Sequence, residues 1–257
     1  MSASNRDSDP FGWVGLCIGD KYRVDSVAAA GGFGVVYRGQ HLGLDVPIAI
    51  KCLKLGKEGP GVEPEVFLPA AQREAQLLYR LSGLVRHVVR AFDFAADTAP
   101  NGEWTPYVIM EWLEGETLEV QLCAREKAGL PPLSPSAVVR LLAPAAEALA
   151  IAHAEGIAHR DVKPNNLFLV HERGGKAIKV LDFGIAEVID LARDPGSRRG
   201  FEAGPRLGLT PEYAAPEQWD PARGETGPWT DVFALALVVI RMMSGAPALR
   251  GRTPADY

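Results

Sequence analysis

Short stretches of alternating or continuous apolar residues dominate the front of the chain, and helical spacing dominates the rest. Tyr22-Arg23-Val24 and Val35-Val36-Tyr37-Arg38 read as two strands around the glycine-rich turn Ala29-Ala30-Gly31-Gly32-Phe33-Gly34. Ile48-Ala49-Ile50-Lys51 reads as a third strand ending in a cation. Leu77, Leu78 and Leu81 give one apolar face to a helix expected over Pro69 to Leu81, with Gly83 as its stop. Tyr107-Val108-Ile109-Met110 reads as a buried edge of the sheet, after a hairpin loop over Ala99 to Pro106. Glu111-Trp112-Leu113-Glu114-Gly115 breaks the pattern as a connector should.

Beyond the connector, Ser134-Pro135 starts a helix that runs through Val138, Leu141, Leu142, Ala145, Leu149 and Ala152 towards Gly156. Pro144 falls well inside it, where proline costs roughly 3 kcal/mol or imposes a kink. Asn166-Leu167-Phe168-Leu169 and Ile178-Lys179-Val180-Leu181 predict a short hairpin. Asp231 to Met243 predicts a helix apolar nearly all round, which demands cover on every side.

The chain has 257 residues, 47% hydrophobic and 23% charged, enough for one large domain or two lobes. A net charge of −5 argues against a general nucleic-acid partner, since no positive field attracts phosphates. Cys17, Cys52 and Cys123 fit neither a disulfide framework nor a metal-ligand spacing and read as idle thiols in a reducing compartment. No apolar run reaches the ~18–20 residues of a membrane span. Residues 1 to about 20 read as a loosely ordered lead-in without the hydrophobic block of a signal peptide, so the expected location is cytoplasmic.

Chemistry concentrates in His159-Arg160-Asp161-Val162-Lys163-Pro164-Asn165-Asn166. Asp161 can accept a proton from an attacking hydroxyl, Lys163 can neutralise an oxyanion, and Asn166 can offer a carbonyl oxygen to a hard cation. The predicted hairpin delivers Asp182-Phe183-Gly184 beside this loop, and a second carboxylate next to Asn166 suits Mg²⁺ with phosphate oxygens. The glycine turn lets backbone N–H groups approach a polyphosphate closely. Glu74 shares a helix side with the leucines and can reach Lys51.

In order along the chain, these segments, with Tyr213-Ala214-Ala215-Pro216-Glu217 and Asp231, resemble eukaryotic-type protein kinases of the bacterial serine/threonine branch. The resemblance implies an α+β, two-lobed protein-kinase-like fold. An antiparallel-sheet N-lobe with one main helix and its hinge would span 21–113, and a mostly helical C-lobe 114–257. It implies ATP and Mg²⁺ as cofactors and a Ser/Thr-bearing protein as partner. Lys51, paired with Glu74, would orient the α- and β-phosphates; Asn166 and Asp182 would hold the metal. Asp161 would receive the substrate hydroxyl, and Thr210 would brace Asp161 and Lys163. Ala28, Val36, Ala49 and Phe168 would sandwich adenine, with Met110 behind and the backbone of Glu111 and Leu113 at its edge. The loop Ala29, Gly31, Gly32, Phe33 and Gly34 would cover the phosphates, and Asp231 would anchor the His159-Arg160 backbone.

Ala29, Leu209 and Ala236 stand where the resemblance expects glycine. None removes a reacting group. Arg160 and the resemblance together point to Ser197, beside Arg198 and Arg199, as an autophosphorylation site. Tyr257 ends the sequence soon after the Asp231 helix, whereas the resemblance expects further helices and an arginine partner for Glu217. The C-lobe is therefore expected to be the front part of a longer chain, or to be covered by a partner or by self-association. The rival reading is a silent pseudokinase that binds nucleotide or a partner. Its usual mark is loss of the lysine, the loop aspartate or the metal aspartate, and all three are present. A small-molecule phosphotransferase would not need the segment from Thr210 to Glu217.

Overall fold

Side chains opposite each other in an antiparallel ladder share a face, and this sorts the front of the molecule into two sides. The structure is a computed structural model that describes residues 9–32, 34–54, 64–172, 175–183, 210–249 and 251. The strands are β1 (Cys17–Ile18), β2 (Tyr22–Gly31), β3 (Gly34–His41), β4 (Val46–Leu53), β5 (Ala91–Thr98) and β6 (Trp104–Glu111). They form one sheet in the order β1-β2-β3-β4-β6-β5, with every pair antiparallel. Val35 faces Cys52, which faces Tyr107; Tyr37 faces Ile50, which faces Ile109. These six residues are buried in one apolar cluster. The alternate positions form the other face: Val36 opposite Lys51 opposite Val108, and Arg38 opposite Ala49 opposite Met110.

The segment before β2 is not the loosely ordered lead-in that its composition suggests. From Asp9 onward it is part of the core. Phe11, Trp13 and Ile18 are buried in the same cluster as Tyr37 and Ile50. Asp9 closes the turn by accepting from the N–H groups of Gly12 at 3.0 Å and Val14 at 2.8 Å. Its Oδ1 also takes the hydroxyl of Tyr37 at 2.6 Å. Burial and that carboxylate raise the Tyr37 hydroxyl well above the ordinary tyrosine range.

Two other expectations need correction, one about the sheet and one about a helix. Tyr107 to Met110 is not at its edge, because β6 is flanked by β4 and β5. The edge on that side is β5, whose sequence Ala-Phe-Asp-Phe-Ala-Ala-Asp-Thr has weak strand propensity and owes its conformation to pairing with β6. Helix α1 runs from Pro64 to Leu84, longer at both ends than expected. Gly83 lies inside it, exposed, where an added Cβ would meet nothing, and the turn closes at Val85, whose N–H bonds Leu81 at 2.9 Å.

The chain divides into two compact units, one holding the described residues to 80 and 90–113, the other 81–89 and those from 114 onward. The second contains a sheet of β7 (Gly115–Thr117), β8 (Leu167–Glu172) and β9 (Gly175–Val180), in that order. Among the described residues, the α-helices that lie wholly in it are α2 (Leu118–Lys127), α3 (Pro135–Ala154), α4 (Pro216–Trp219) and α5 (Pro228–Ser244). Ser134 caps α3 as expected, accepting from Ala137 N–H at 3.3 Å, and Gly156 follows with φ 77°. Pro144 leaves the carbonyl of Arg140 without its helical donor, and Arg140 lies exposed, where water can replace it.

By length and composition α3 could cross a membrane, contrary to the expectation that no run is long enough. Its buried residues Val138, Leu142, Ala145, Leu149 and Ala152 recur at helical spacing, while Arg140 and Glu147 are exposed. That is the pattern of a core helix. Helix α5 buries one face, with Thr230, Asp231, Ala234, Leu237, Val238, Arg241 and Met242 inside, rather than being covered all round. Trp229, Val232, Ile240 and Met243 are exposed.

Two measurements check this packing. Phe11→Ala should cost about 3–5 kcal/mol of stability in a denaturant titration, as for a core phenylalanine, whereas a loose lead-in would lose almost nothing. Burial pushes the Cys52 thiol up to about 12, and Cys17 is exposed. At pH 8 a thiol reagent should therefore label Cys17 in the native protein and reach Cys52 only on unfolding.

Candidate active site

The loop after α3 is built around one carboxylate. Asp231, wholly buried in the first turn of α5, accepts from the backbone N–H of His159 at 2.7 Å and of Arg160 at 2.6 Å. His153, in the last turn of α3, places its Nε2 2.7 Å from the same carboxylate. This arrangement holds Arg160 at φ 62°, a left-handed conformation that a non-glycine residue adopts only when its surroundings impose it. Gln218 of α4 adds a donor, with its Nε2 2.8 Å from the Arg160 carbonyl.

The ring of His159 joins this loop to the segment that carries Asp182. Its Nδ1 accepts from the Asp161 N–H at 3.3 Å, so the ring proton sits on Nε2 and is donated to the Leu181 carbonyl at 2.7 Å. Phe183 packs against the ring with centroids 4.7 Å apart.

Asp161 is met by Lys163, with Nζ 2.8 Å from Oδ2, and by Asn166, with Nδ2 2.9 Å from Oδ2 and 2.7 Å from the Asp161 carbonyl. Among the described residues both donors converge on Oδ2, which leaves Oδ1 to accept a proton. With its amide nitrogen held there, Asn166 turns its Oδ1 the other way. The ladder pairs Leu167 with Val180, and Leu181 N–H bonds the Asn166 carbonyl at 2.8 Å. The base of this hairpin therefore sets Asn166 and Asp182 side by side, as expected from the sequence. Asp182 is half-buried with φ 62°.

Asn166 Oδ1 and the Asp182 carboxylate are hard oxygen donors, the class that Mg²⁺ takes. No group of three His, Cys, Asp or Glu occurs among the described residues. A two-donor site suits Mg²⁺, which keeps waters and shares phosphate oxygens instead of filling a protein cage.

Thr210 lines a small cavity with Asp161, Val162, Tyr213 and Gln218. Among the described residues it is not a hydrogen-bond partner of Asp161, so the expected brace is here a neighbour only. Glu217, expected to lack its cation, accepts from the buried Thr230 hydroxyl at 2.6 Å. Sequence reasoning missed Gln218 and His153. Their only trace is a polar side chain one residue after Glu217, and another on the helix six before His159.

The first unit holds the nucleotide-binding candidates. Lys51 is 5% exposed and lies on the sheet face opposite the apolar cluster, together with Val36 and Ala49. Met110 is on that face too, across from Ala49. Ala29 pairs with Val36 on extended backbone and is not among the residues with positive φ, so it fits where glycine was expected. Ala28 instead occupies a bulge between the pairs Val27–Tyr37 and Ala29–Val36. The strand extends to Gly31, and Gly32 lies in the turn that follows. Gly34 has φ 156°, and a Cβ there would lie 2.0 Å from the Cys52 carbonyl. Only glycine permits that approach. Glu111 is tied to Arg90 by two bonds, Glu111 N–H to the Arg90 carbonyl at 2.9 Å and Arg90 N–H to Glu111 Oε1 at 2.8 Å. Leu113 is half-buried, as is Phe168, which belongs to β8 in the second unit. Phe33, Gly184, Ser197, Arg198, Arg199, Leu209 and Tyr257 lie outside the described residues, as does the side chain of Glu74.

Asp231→Ala should leave two backbone N–H groups and His153 without their acceptor. The expected loss is about 3–5 kcal/mol, or ~6–20 °C in Tm by thermal unfolding. A change below ~1 kcal/mol would show that the loop does not depend on this carboxylate.

The profile of the protein kinase domain matches residues 22–256. Serine/threonine-protein kinase Pkn1 of Myxococcus xanthus is 35% identical over 240 residues, covering 92% of this chain and 30% of that protein. PknL of Mycobacterium tuberculosis is 33% identical over 231 residues, covering 90% and 51%. This chain thus spans from 30% to 51% of these relatives' length. Among solved structures, the Mycobacterium tuberculosis PknI kinase domain aligns with a TM-score of 0.66 and 26% identity, over 93% of this chain and 80% of that one. Because the matched residues run from the first strand of the glycine hairpin through the helix that carries Asp231, the chain belongs to the protein kinase family.

Proposed function

We propose that this chain transfers the γ-phosphate of ATP, with Mg²⁺, to serine or threonine hydroxyls of a protein substrate. The observation that carries the reading is the Asp161 carboxylate, with Lys163 and Asn166 on Oδ2 and Oδ1 left as acceptor. Phosphoryl transfer asks little covalent chemistry of a protein and much positioning and charge stabilisation, which is what this cluster provides. Asp161 Oδ1 receives the proton of the attacking hydroxyl, and Lys163 neutralises charge on the group in transfer. Mg²⁺, when bound by Asn166 Oδ1 and Asp182, supplies charge neutralisation at the phosphate oxygens. Lys51 holds the α- and β-phosphates, and its buried place on the sheet face with Val36 and Ala49 suits a cation that meets a ligand. Lys163 and Thr210, through the family resemblance, favour serine and threonine over tyrosine. The same reading places the kinase in the cytoplasm, where ATP and reduced thiols are found.

Purified chain with radiolabelled ATP, Mg²⁺ and a generic basic protein should yield phosphoserine and phosphothreonine but no phosphotyrosine. Asp161→Asn should lower kcat by about 10²–10⁴-fold with ATP affinity nearly unchanged. Lys51→Met should abolish transfer while circular dichroism stays native, because Met fills similar volume without burying a charge. Near-normal turnover in either variant would refute the assigned role. EDTA should stop the reaction and excess Mg²⁺ should restore it.

A further inference from the structure

Arg38 and Trp112 form a contact that the assigned chemistry does not use. Both belong to the first unit. The Arg38 guanidinium carbon lies 5.2 Å from the centre of the Trp112 ring, within cation–π range. The register explains the reach. Arg38 is opposite Ala49, and Ala49 is opposite Met110, the residue two before Trp112. At the middle position a small side chain leaves the long arginine stem a path across the strand. Arg38 also shares its face with Val36 and Lys51, the face opposite the apolar cluster.

Glu111 is the last residue of β6, and its pair with Ile48 is the last rung between β4 and β6. The two bonds to Arg90 fix Glu111 itself. After it, Trp112, Leu113 and Glu114 lie in no strand or helix. A cation stacked on the Trp112 ring restrains the middle of this connector from the sheet side.

We infer that Arg38 is a positioning residue: by seating Trp112 it sets the backbone of Leu113, beside the already fixed Glu111, in register to read the adenine edge of the nucleotide. The inference rests on the kinase reading above. An exposed cation–π contact changes an equilibrium by about two- to five-fold, so the effect is on affinity and modest in size. The contact reaches the base through the connector, so its loss weakens every ligand that carries adenine, whatever its phosphates.

The test is titration calorimetry of the full chain with adenosine, ADP and ATP–Mg²⁺, alongside steady-state kinetics. Arg38→Ala should weaken all three ligands by the same two- to five-fold and raise KM for ATP to match, with kcat changed by less than twofold. Arg38→Lys, which keeps a cation over the ring, should restore most of the affinity, and Arg38→Met, an uncharged chain close to the length of the stem, should not. In a double-mutant cycle, adding Trp112→Ala to Arg38→Ala should cost nothing further if the two act as one contact. Weakening confined to ATP would overturn the inference, because the guanidinium would then be meeting phosphates directly. Equal affinities for wild type and Arg38→Ala would also overturn it, while leaving the kinase reading intact. If wild type binds none of the three ligands, the kinase reading falls, and this inference with it.

Discussion

A carboxylate that is wholly buried must be met by donors from every side, and Asp231 is met by three. Two of these are backbone N–H groups of the loop that carries Asp161. The cost of burying the charge thus becomes a constraint on the loop: it keeps its acceptor only if His159 and Arg160 present consecutive N–H groups, which requires the left-handed turn at Arg160. Asp161, Lys163 and Asn166 follow within six residues of that fixed point. The ring of His159 carries the same constraint to Leu181, and so to Asp182.

The sheet of the first unit solves a different problem. Strand alternation gives it two faces, and one of them carries the apolar cluster. Residues 9–18 supply the cover through Phe11, Trp13 and Ile18, and the Asp9–Tyr37 bond fastens that cover to the middle of β3. The neighbours of Tyr37 along β3, Val36 and Arg38, then have to point to the opposite face, where Lys51 and Ala49 lie. A buried tyrosine on one side of a strand thereby fixes which residues stand on the other.

In the second unit the same economy appears in a hairpin. Asn166 precedes β8 and Asp182 follows β9, so the pairing of Leu167 with Val180 brings together two oxygen donors separated by fifteen residues of chain. Neither needs a long loop to reach the other. Thr230 serves Glu217 in a comparable way, donating to a carboxylate that sits in α4.

The sequence alone determined which chemical groups are present and in what order, because a kinase-like set of a glycine turn, Lys51, Asp161, Asn166 and Asp182 is a property of spacing. It also determined the strands at Tyr22, Val35, Ile48 and Tyr107, the Ser134 cap and the β8–β9 hairpin, all of which are local patterns. The tertiary structure decided what depends on residues far apart in the chain. Phe11 and Trp13 carry no local sign of a docking face, and β5 has weak strand propensity until β6 pairs with it. Arg160 takes a strained conformation only because Asp231, 71 residues away, holds its N–H. His153 and Gln218 make contacts that no local pattern announces, as do Arg38 and Trp112. Periodicity and propensity report the short-range preferences of the backbone, whereas burial and hydrogen-bond satisfaction are settled only when distant segments meet.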